Sequence, residues 1–269
     1  MLANARQFVE PMIDGHMISG HFRKSCGLVS VAGSWVDFSM TSGNPPGNYY
    51  ASTPLVAERL DPWSGIFHGA NQNEKYIAEL MLCTPSSGLL GVWWLMDYLL
   101  YYPFIDLDDT SASQEMNNTK SLDRYESGAN VMAMLVAQSP TTGGGTFNFT
   151  YINQDGVEKT SPTQTCSSSS TNYGTVITHL AATTSRGPWL VLAGGDTGIR
   201  RILTFTNLVA NGGLGAVVLV KPLATIVLSE INAPVEVSFL VNNPTIPRVY
   251  PNAYLNYLCC TGASVAALS

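Results

Sequence analysis

Thr146-Phe147-Asn148-Phe149-Thr150-Tyr151-Ile152-Asn153-Gln154-Asp155-Gly156 is the stretch on which the fold class turns. Phe147, Phe149 and Tyr151 alternate with Asn148 and Thr150, a period of two, which puts the rings on one face of a strand and the polar groups on the other. Asn153, Gln154, Asp155 and Gly156 supply the chemistry of a reversal, and Gly156 is free to take a positive φ. A return strand over 157–165 completes the hairpin, and a Ser-rich tract over 167–171 breaks it.

The same signals extend in both directions. Residues 131–137 form an apolar run of strand length. Further runs occupy 189–193, 199–208, 214–228 (split near Pro222), 235–241 and 253–260, separated by turn residues at short intervals. Upstream, 34–40 alternates, with Trp35, Asp37 and Ser39 on one face and Val36, Phe38 and Met40 on the other. Residues 42–48 hold a dense Gly/Asn/Pro loop signal, and 61–65 is a second loop. The exception is the region near 74–101. Tyr76, Ile77, Leu80 and Met81 have helical spacing within 74–83, with Asn73 placed as cap. A second helix is expected from about 89 to 100, capped by Ser86 or Ser87 and buried on all sides. The expectation is a mainly β protein, a β-sandwich or jelly-roll-like body with a short helical segment near residues 74–101. Residues 1–24 read as an N-terminal arm or a first strand outside the core, 25–139 as a β-rich part with the helical insertion, and 140–269 as a sandwich-like part, continuous with 25–139 or separated from it at the Gly-rich stretch 139–145.

Composition narrows the function classes. Only 12% of the 269 residues are charged, against 45% apolar, where about 25% charge is usual for a soluble domain. Neutral Ser, Thr, Asn and Gly must carry the polar surface, and burial against other copies would relieve the rest. The net charge of −6 and the scattered basic residues, paired only at Arg23-Lys24 and Arg200-Arg201, speak against a nucleic-acid partner. Cys26, Cys83, Cys166, Cys259 and Cys260 lack CxxC spacing and are expected to be reduced and mostly buried. The first ten residues carry Arg6 with no apolar core behind it, so no leader is expected. The longest apolar stretch, 89–105, is interrupted by Asp97 and Pro103 and reads as a buried segment rather than a membrane span.

No constellation of catalytic, cofactor-binding or metal-ligating residues emerges. Nucleophile-elbow, P-loop and H-E-x-x-H patterns are absent. His16, His21, His68 and His179 share no metal-site spacing. Asp106, Asp108 and Asp109 offer oxygens at alternate positions, but the Gly and distal Glu of a calcium loop are missing, so a solvated exit from the buried segment is expected. Gly194-Gly195-Asp196-Thr197-Gly198 lacks the Lys and following helix of a phosphate cradle and reads as a tight turn. Trp93, Trp94, Tyr98, Tyr101 and Tyr102 read as core or interface. Trp35 and Trp63 are the better candidates for exposed stacking against a glycan. The sequons at Asn117 and Asn148 occur at chance frequency.

Several phrases carry a resemblance. They are Gly33-Ser34-Trp35-Val36-Asp37-Phe38-Ser39-Met40, Gly43-Asn44-Pro45-Pro46-Gly47-Asn48-Tyr49-Tyr50, Leu99-Leu100-Tyr101-Tyr102-Pro103-Phe104-Ile105-Asp106, Thr150-Tyr151-Ile152-Asn153-Gln154-Asp155-Gly156-Val157, Val218-Leu219-Val220-Lys221-Pro222-Leu223-Ala224 and Pro251-Asn252-Ala253-Tyr254-Leu255-Asn256. Together they resemble uncharacterised structural proteins of tailed bacteriophages. The resemblance implies a virion component, assembled in the host cytoplasm alongside other virion proteins such as the major capsid protein. The low charge adds the expectation of a homo-oligomer, a trimer or larger, the lack of catalytic motifs that of no turnover, and the charge balance and interrupted apolar stretch that of neither nucleic acid nor membrane as partner. A capsid decoration or cement role leads. A receptor- or glycan-binding tail or baseplate protein is one alternative, and a hydrolase of cell-surface polymer is another. The long spine helix of the common tailed-phage shell protein is absent from the pattern.

Overall fold

The computed structural model describes residue 10 and residues 13–14, 16–25, 33–69, 75–166, 173–180, 187–239 and 246–261. Its strands in chain order are β1 (Arg23–Lys24), β2 (Trp35–Asp37), β3 (Gly43–Asn44), β4 (Lys75–Tyr76), β5 (Glu79–Leu82), β6 (Gly91–Asp106), β7 (Gln114–Glu115), β8 (Met132–Ala137) and β9 (Thr146–Asn153). They continue with β10 (Glu158–Thr160), β11 (Gln164–Cys166), β12 (Thr175–Val176), β13 (Thr178–Leu180), β14 (Ile199–Val209), β15 (Leu214–Leu228), β16 (Val235–Ser238), β17 (Arg248–Val249) and β18 (Leu255–Cys260). The mainly β expectation holds.

Six strands close into an antiparallel barrel in the order β12-β2-β18-β6-β15-β8. The barrel takes strands from both sides of the Gly-rich stretch 139–145. A small barrel fills its interior with side chains. Here Met96, Tyr98, Met134, Val136, Val176, Ala216, Val218, Val220 and Leu258 form one apolar core. A second sheet, β13-β11-β9-β14-β7 with β10 paired to β9, lies on one flank. Phe147, Phe149, Tyr151, Ile202 and Phe205 of that sheet pack with Ala133, Leu135, Val217 and Leu219 of β8 and β15. Strand β9 alternates half-buried and buried along its whole length, as the sequence predicts. The Phe147 and Phe205 rings stack at 4.7 Å. A third core joins Trp93, Leu95, Ile226, Leu228, Tyr257 and Cys259 to Ile66, Leu82 and Val249. The small pairs β5–β16 and β4–β17 contribute to it.

The helical segment near 74–101 is overturned. Residues 79–82 and 91–106 are strands, and the only helical turn described between 75 and 101 is the three-residue 3-10 turn Ser87–Leu89. Asn73 lies outside the described residues. The physical reason is double burial. Along β6, Trp93 and Leu95 enter the outer core while Met96 and Tyr98 enter the barrel. A strand covered on both faces loses its alternation and reads like a buried helix.

Other expectations are redrawn locally. Alternation over 34–40 ends at Asp37, whose side chain accepts from Ser39 N–H at 2.9 Å and caps a 3-10 turn, Phe38–Met40. Residues 189–193 form no strand. Within the expected arm or first strand of 1–24, Arg23–Lys24 is a short strand paired with Gly43–Asn44. The chain does not split at Pro222. Strand β15 runs through it with a register shift between Pro222 and Ala224. A further irregularity places Pro103 and Phe104 opposite Ala216. Phe104 takes φ 56°, and its N–H, displaced from the ladder, donates to Gln138 Oε1 at 2.6 Å. Proline is tolerated within long strands at such bulges.

Candidate functional site

Among the described residues, two buried clusters hold ionisable side chains bonded to one another, and both tie separate elements together. The first is centred on Asp37, fully buried at the end of β2. Tyr98 Oη donates to its Oδ1 at 2.6 Å, Tyr50 Oη donates to Oδ2, and the Ser39 and Tyr50 hydroxyls lie 2.7 Å apart. Burial pushes the Asp37 carboxyl above its usual value, and the Tyr50 and Tyr98 hydroxyls and Ser39 draw it back in part. Lys24 lies within range of its charge and donates to Thr41 O at 2.8 Å. Its pKa falls to about 8, by burial first, with Asp37 opposing.

The second cluster begins at Asp97, the buried charge of β6. Arg124 reaches it from the connection between β7 and β8, Nη2 to Oδ1 at 2.6 Å and Nε to Oδ2 at 2.8 Å. Arg124 Nη2 also donates to Tyr98 O, and Nη1 pairs with Asp123 at 2.9 Å. Asp123 in turn meets Arg59 at 3.3 Å and Asn252 Nδ2 at 2.7 Å. The long connection is thereby clamped to the barrel wall.

Asp37, Asp97 and Arg124 are all buried. A shallow notch lies elsewhere, lined by Pro62, Trp63, Phe67, His68, Gly69 and Pro251. Trp63 stands on a 3-10 turn, Pro62–Ser64, whose first N–H groups are met by Asp61. Its own N–H donates to Asp61 Oδ1 at 3.1 Å. The segment is then stitched to β18 and the residues before it. Ile66 N–H donates to Leu255 O at 2.9 Å, and His68 Nε2 lies 2.8 Å from Ala253 O. A carbonyl can only accept, so Nε2 carries the proton and Nδ1 is left to accept from Lys75 Nζ at 2.8 Å. Burial lowers the His68 pKa, the Ala253 carbonyl partly restores it, and the Lys75 charge lowers it again. Trp63 is 63% exposed and Phe67 56%.

No known protein family, curated protein or solved structure matches the chain.

The remaining sequence candidates fall into place individually. Asp106 Oδ1 accepts from Asp108 N–H, and Asp109 Oδ1 accepts from the N–H and hydroxyl of Ser111, so these acids close an exposed turn. The exit they mark is that of a strand, not of a helix. Among the described residues, no group of three or more His, Cys, Asp or Glu side chains is arranged to hold a metal ion. The segment 194–198 is a turn fastened to the β9 hairpin. Asp196 accepts from Tyr151 Oη and Asn153 Nδ2, and Gln154 Oε1 accepts from Thr197 and Gly198 N–H. Trp35 is half-buried against Trp94 at 5.7 Å, and Trp94 meets Trp189 at 5.0 Å, so Trp35 offers no open face comparable to that of Trp63. None of Cys83, Cys166, Cys259 and Cys260 is in a disulfide; Cys166 and Cys259 are buried and Cys83 is exposed. Cys26 lies outside the described residues. Among the described residues no helix is long and apolar enough to cross a membrane.

Sequence reasoning passed over Arg124 and Asp123 and treated Asp97 only as an interruption. A single carboxylate inside an apolar run was the available signal, because a buried charge requires a partner. Which cation answers it is fixed by the path of a loop 27 residues on.

Proposed function

We propose that this chain is a structural component of a tailed-phage particle, most specifically a head decoration or cement protein that stabilises the shell as a homo-oligomer of three or more copies. The carrying observation is where the charge is used. Asp37, Asp97 and Arg124 are sealed inside and engaged with one another or with tyrosines and backbone. The chain has only 12% charged residues, and Tyr76, Met81, Leu208, Val209 and Val227 stand exposed on it. Such a molecule is rigid within and has apolar surface to bury in contacts with neighbours, worth roughly 25 cal/mol per Å² before association costs. The resemblance of the quoted phrases to phage structural proteins supports the same reading. So does the two-layer packing of the flank sheet on the barrel wall, which keeps a sandwich or jelly-roll-like description of the body in play. The partners proposed are further copies and the major capsid protein, the place is the virion after assembly in the host cytoplasm, and the role is mechanical rather than catalytic. Quantitative protein analysis of purified particles tests it. The chain should be present in many copies per particle, at a fixed ratio to the shell protein. Its absence from washed particles contradicts the proposal.

A receptor- or glycan-binding tail role is the second reading. The observation that favours it is the exposed Trp63–Phe67 notch on a backbone fastened to β18.

A further inference from the structure

We infer that the exposed apolar face around Trp63 and Phe67 is a two-fold contact with a second copy of this chain. This rests on the homo-oligomer of the first reading and gives it a surface. It also covers the face that the second reading needs open.

The face is continuous. Trp63 and Phe67 stand side by side with Pro62, His68, Gly69 and Pro251. The segment before β1 extends it. A Cβ on Gly69 would collide with Ile18 Cδ1, and one on Gly20 would lie 2.6 Å from Phe67 O, so residues 18–20 lie directly against 66–69. Ile18 therefore continues the surface that Phe67 begins, and Met17 next to it is exposed as well.

Area points to a partner of this size. An aromatic side chain offers roughly 150–250 Å², so Trp63 and Phe67, 63% and 56% exposed, present on the order of 250 Å² between them. With Met17, Ile18 and Pro251 the face reaches roughly 400–450 Å², the scale of the largest apolar patch on an ordinary monomer and one that often marks a binding surface. Two such faces brought together bury roughly 850 Å² of apolar surface. Homodimer interfaces are about 65% apolar, so the whole contact comes to about 1,300 Å². That lies within the roughly 1,200–2,000 Å² of a specific, stable interface.

Charge selects a second copy as the occupant. A two-fold axis sets a surface against itself, so a charged face would repel its own copy. Of the six residues lining the notch only His68 titrates, and burial holds its pKa below the ordinary histidine value, which keeps it neutral at pH 7. The lining thus holds no carboxylate or cation for a charged partner to find. The charges beside it, Asp61 under Trp63 and Lys75 on His68, are of opposite sign. The face is also preorganised. Asp61 caps the turn under Trp63, and a Cβ on Gly65 would lie 3.0 Å from Leu255 N, so the loop is seated against β18. Rigid faces lose little freedom on meeting.

Sedimentation velocity on the full chain tests this, over a concentration series, with Trp63→Glu and Phe67→Glu beside the parent. The parent should hold an even number of copies. Either glutamate should weaken the pairing roughly thirtyfold or more, as loss of a central aromatic does, and so halve the mass of the assembly. Trp63→Phe should keep the parent mass. Val157→Glu, at an exposed apolar residue in the β9–β10 turn, should change nothing. Circular dichroism of the dilute variants should match the parent, because both rings are more exposed than buried. A mass that both glutamates leave unchanged overturns the face and leaves the homo-oligomer standing. A parent dimer that falls to monomer upholds the face and removes the assembly of three or more. A parent that stays monomeric throughout overturns both. Retention on purified particles reads the other occupant. Glutamate variants lost from particles with no change in mass would give the face to a different virion protein and overturn the second copy.

Discussion

Arg124 meets Asp97 as a two-pronged ion pair, with side chains 3% and 0% exposed. Breaking such a pair strands a charge in a low-dielectric interior, at a cost of about 3–5 kcal/mol. Arg124→Met and Asp97→Ala should each lower stability by about that much in urea unfolding. The double variant should recover part of the loss, because neither charge then remains. Two single losses that simply add in the double variant would show that the groups act independently.

Asp37 gives a pH dependence of definite sign. Its carboxyl is raised by burial above the unfolded value of about 3.9. Between those two values the folded chain holds more protons than the unfolded chain, so stability declines as pH rises through the window. Urea midpoints measured against pH should therefore fall more steeply with rising pH in the parent than in Asp37→Asn. The opposite difference would mean that the tyrosine hydroxyls outweigh burial.

His68 works the other way. Its folded pKa lies below the ordinary value near 6.5, so the unfolded chain takes up protons first on acidification. The groups facing it are Lys75, the Ala253 carbonyl and, at longer range, Arg124. Stability should be lost as pH drops below the ordinary histidine range, and His68→Gln should flatten that loss. An unchanged slope in the variant would remove His68 from the account.

Packing predictions separate neighbours in β6. Trp93 is 3% exposed and its Nε1 donates to Leu89 O at 2.9 Å, whereas Trp94 is half-buried. Trp93→Ala should cost about 3–5 kcal/mol, and Trp94→Ala less. Equal losses would place the two rings in equivalent surroundings. Inserting one residue between Phe147 and Phe149 should abolish folding by reversing the faces of β9, while an insertion in the 153–156 turn should be mild. Soluble yield and melting temperature for the two insertions decide between them.

How much of this was legible follows from burial. Strand β9 announced itself because one face is buried and the other is half-open, which leaves a period of two in the text. Strand β6 did not, because Trp93 and Met96 are both buried on opposite sides and Asp97, the polar residue inside the apolar run, is itself fully buried. The third of the nearby strands, β5, misled for a related reason. Leu80 and Leu82 face the outer core while Met81 stands exposed, so an apolar residue sits where alternation calls for a polar one. The turn chemistry at 153–156 and 194–198 was readable residue by residue. The Asp97–Arg124 pair and the seating of Trp63 beside His68 were not, since they depend on segments far apart in sequence meeting on the barrel wall. Trp63 was legible only as one of two candidates, and burial of Trp35 against Trp94 decides between them.

The central claim, a structural role in a phage particle, is met most directly by locating the chain there. Cryo-electron microscopy of purified particles, with gold-labelled antibody against this chain, should show label and density repeating regularly over the head. Particles that carry neither label nor density for the chain, while the chain stays in the soluble fraction of the lysate, would contradict the account.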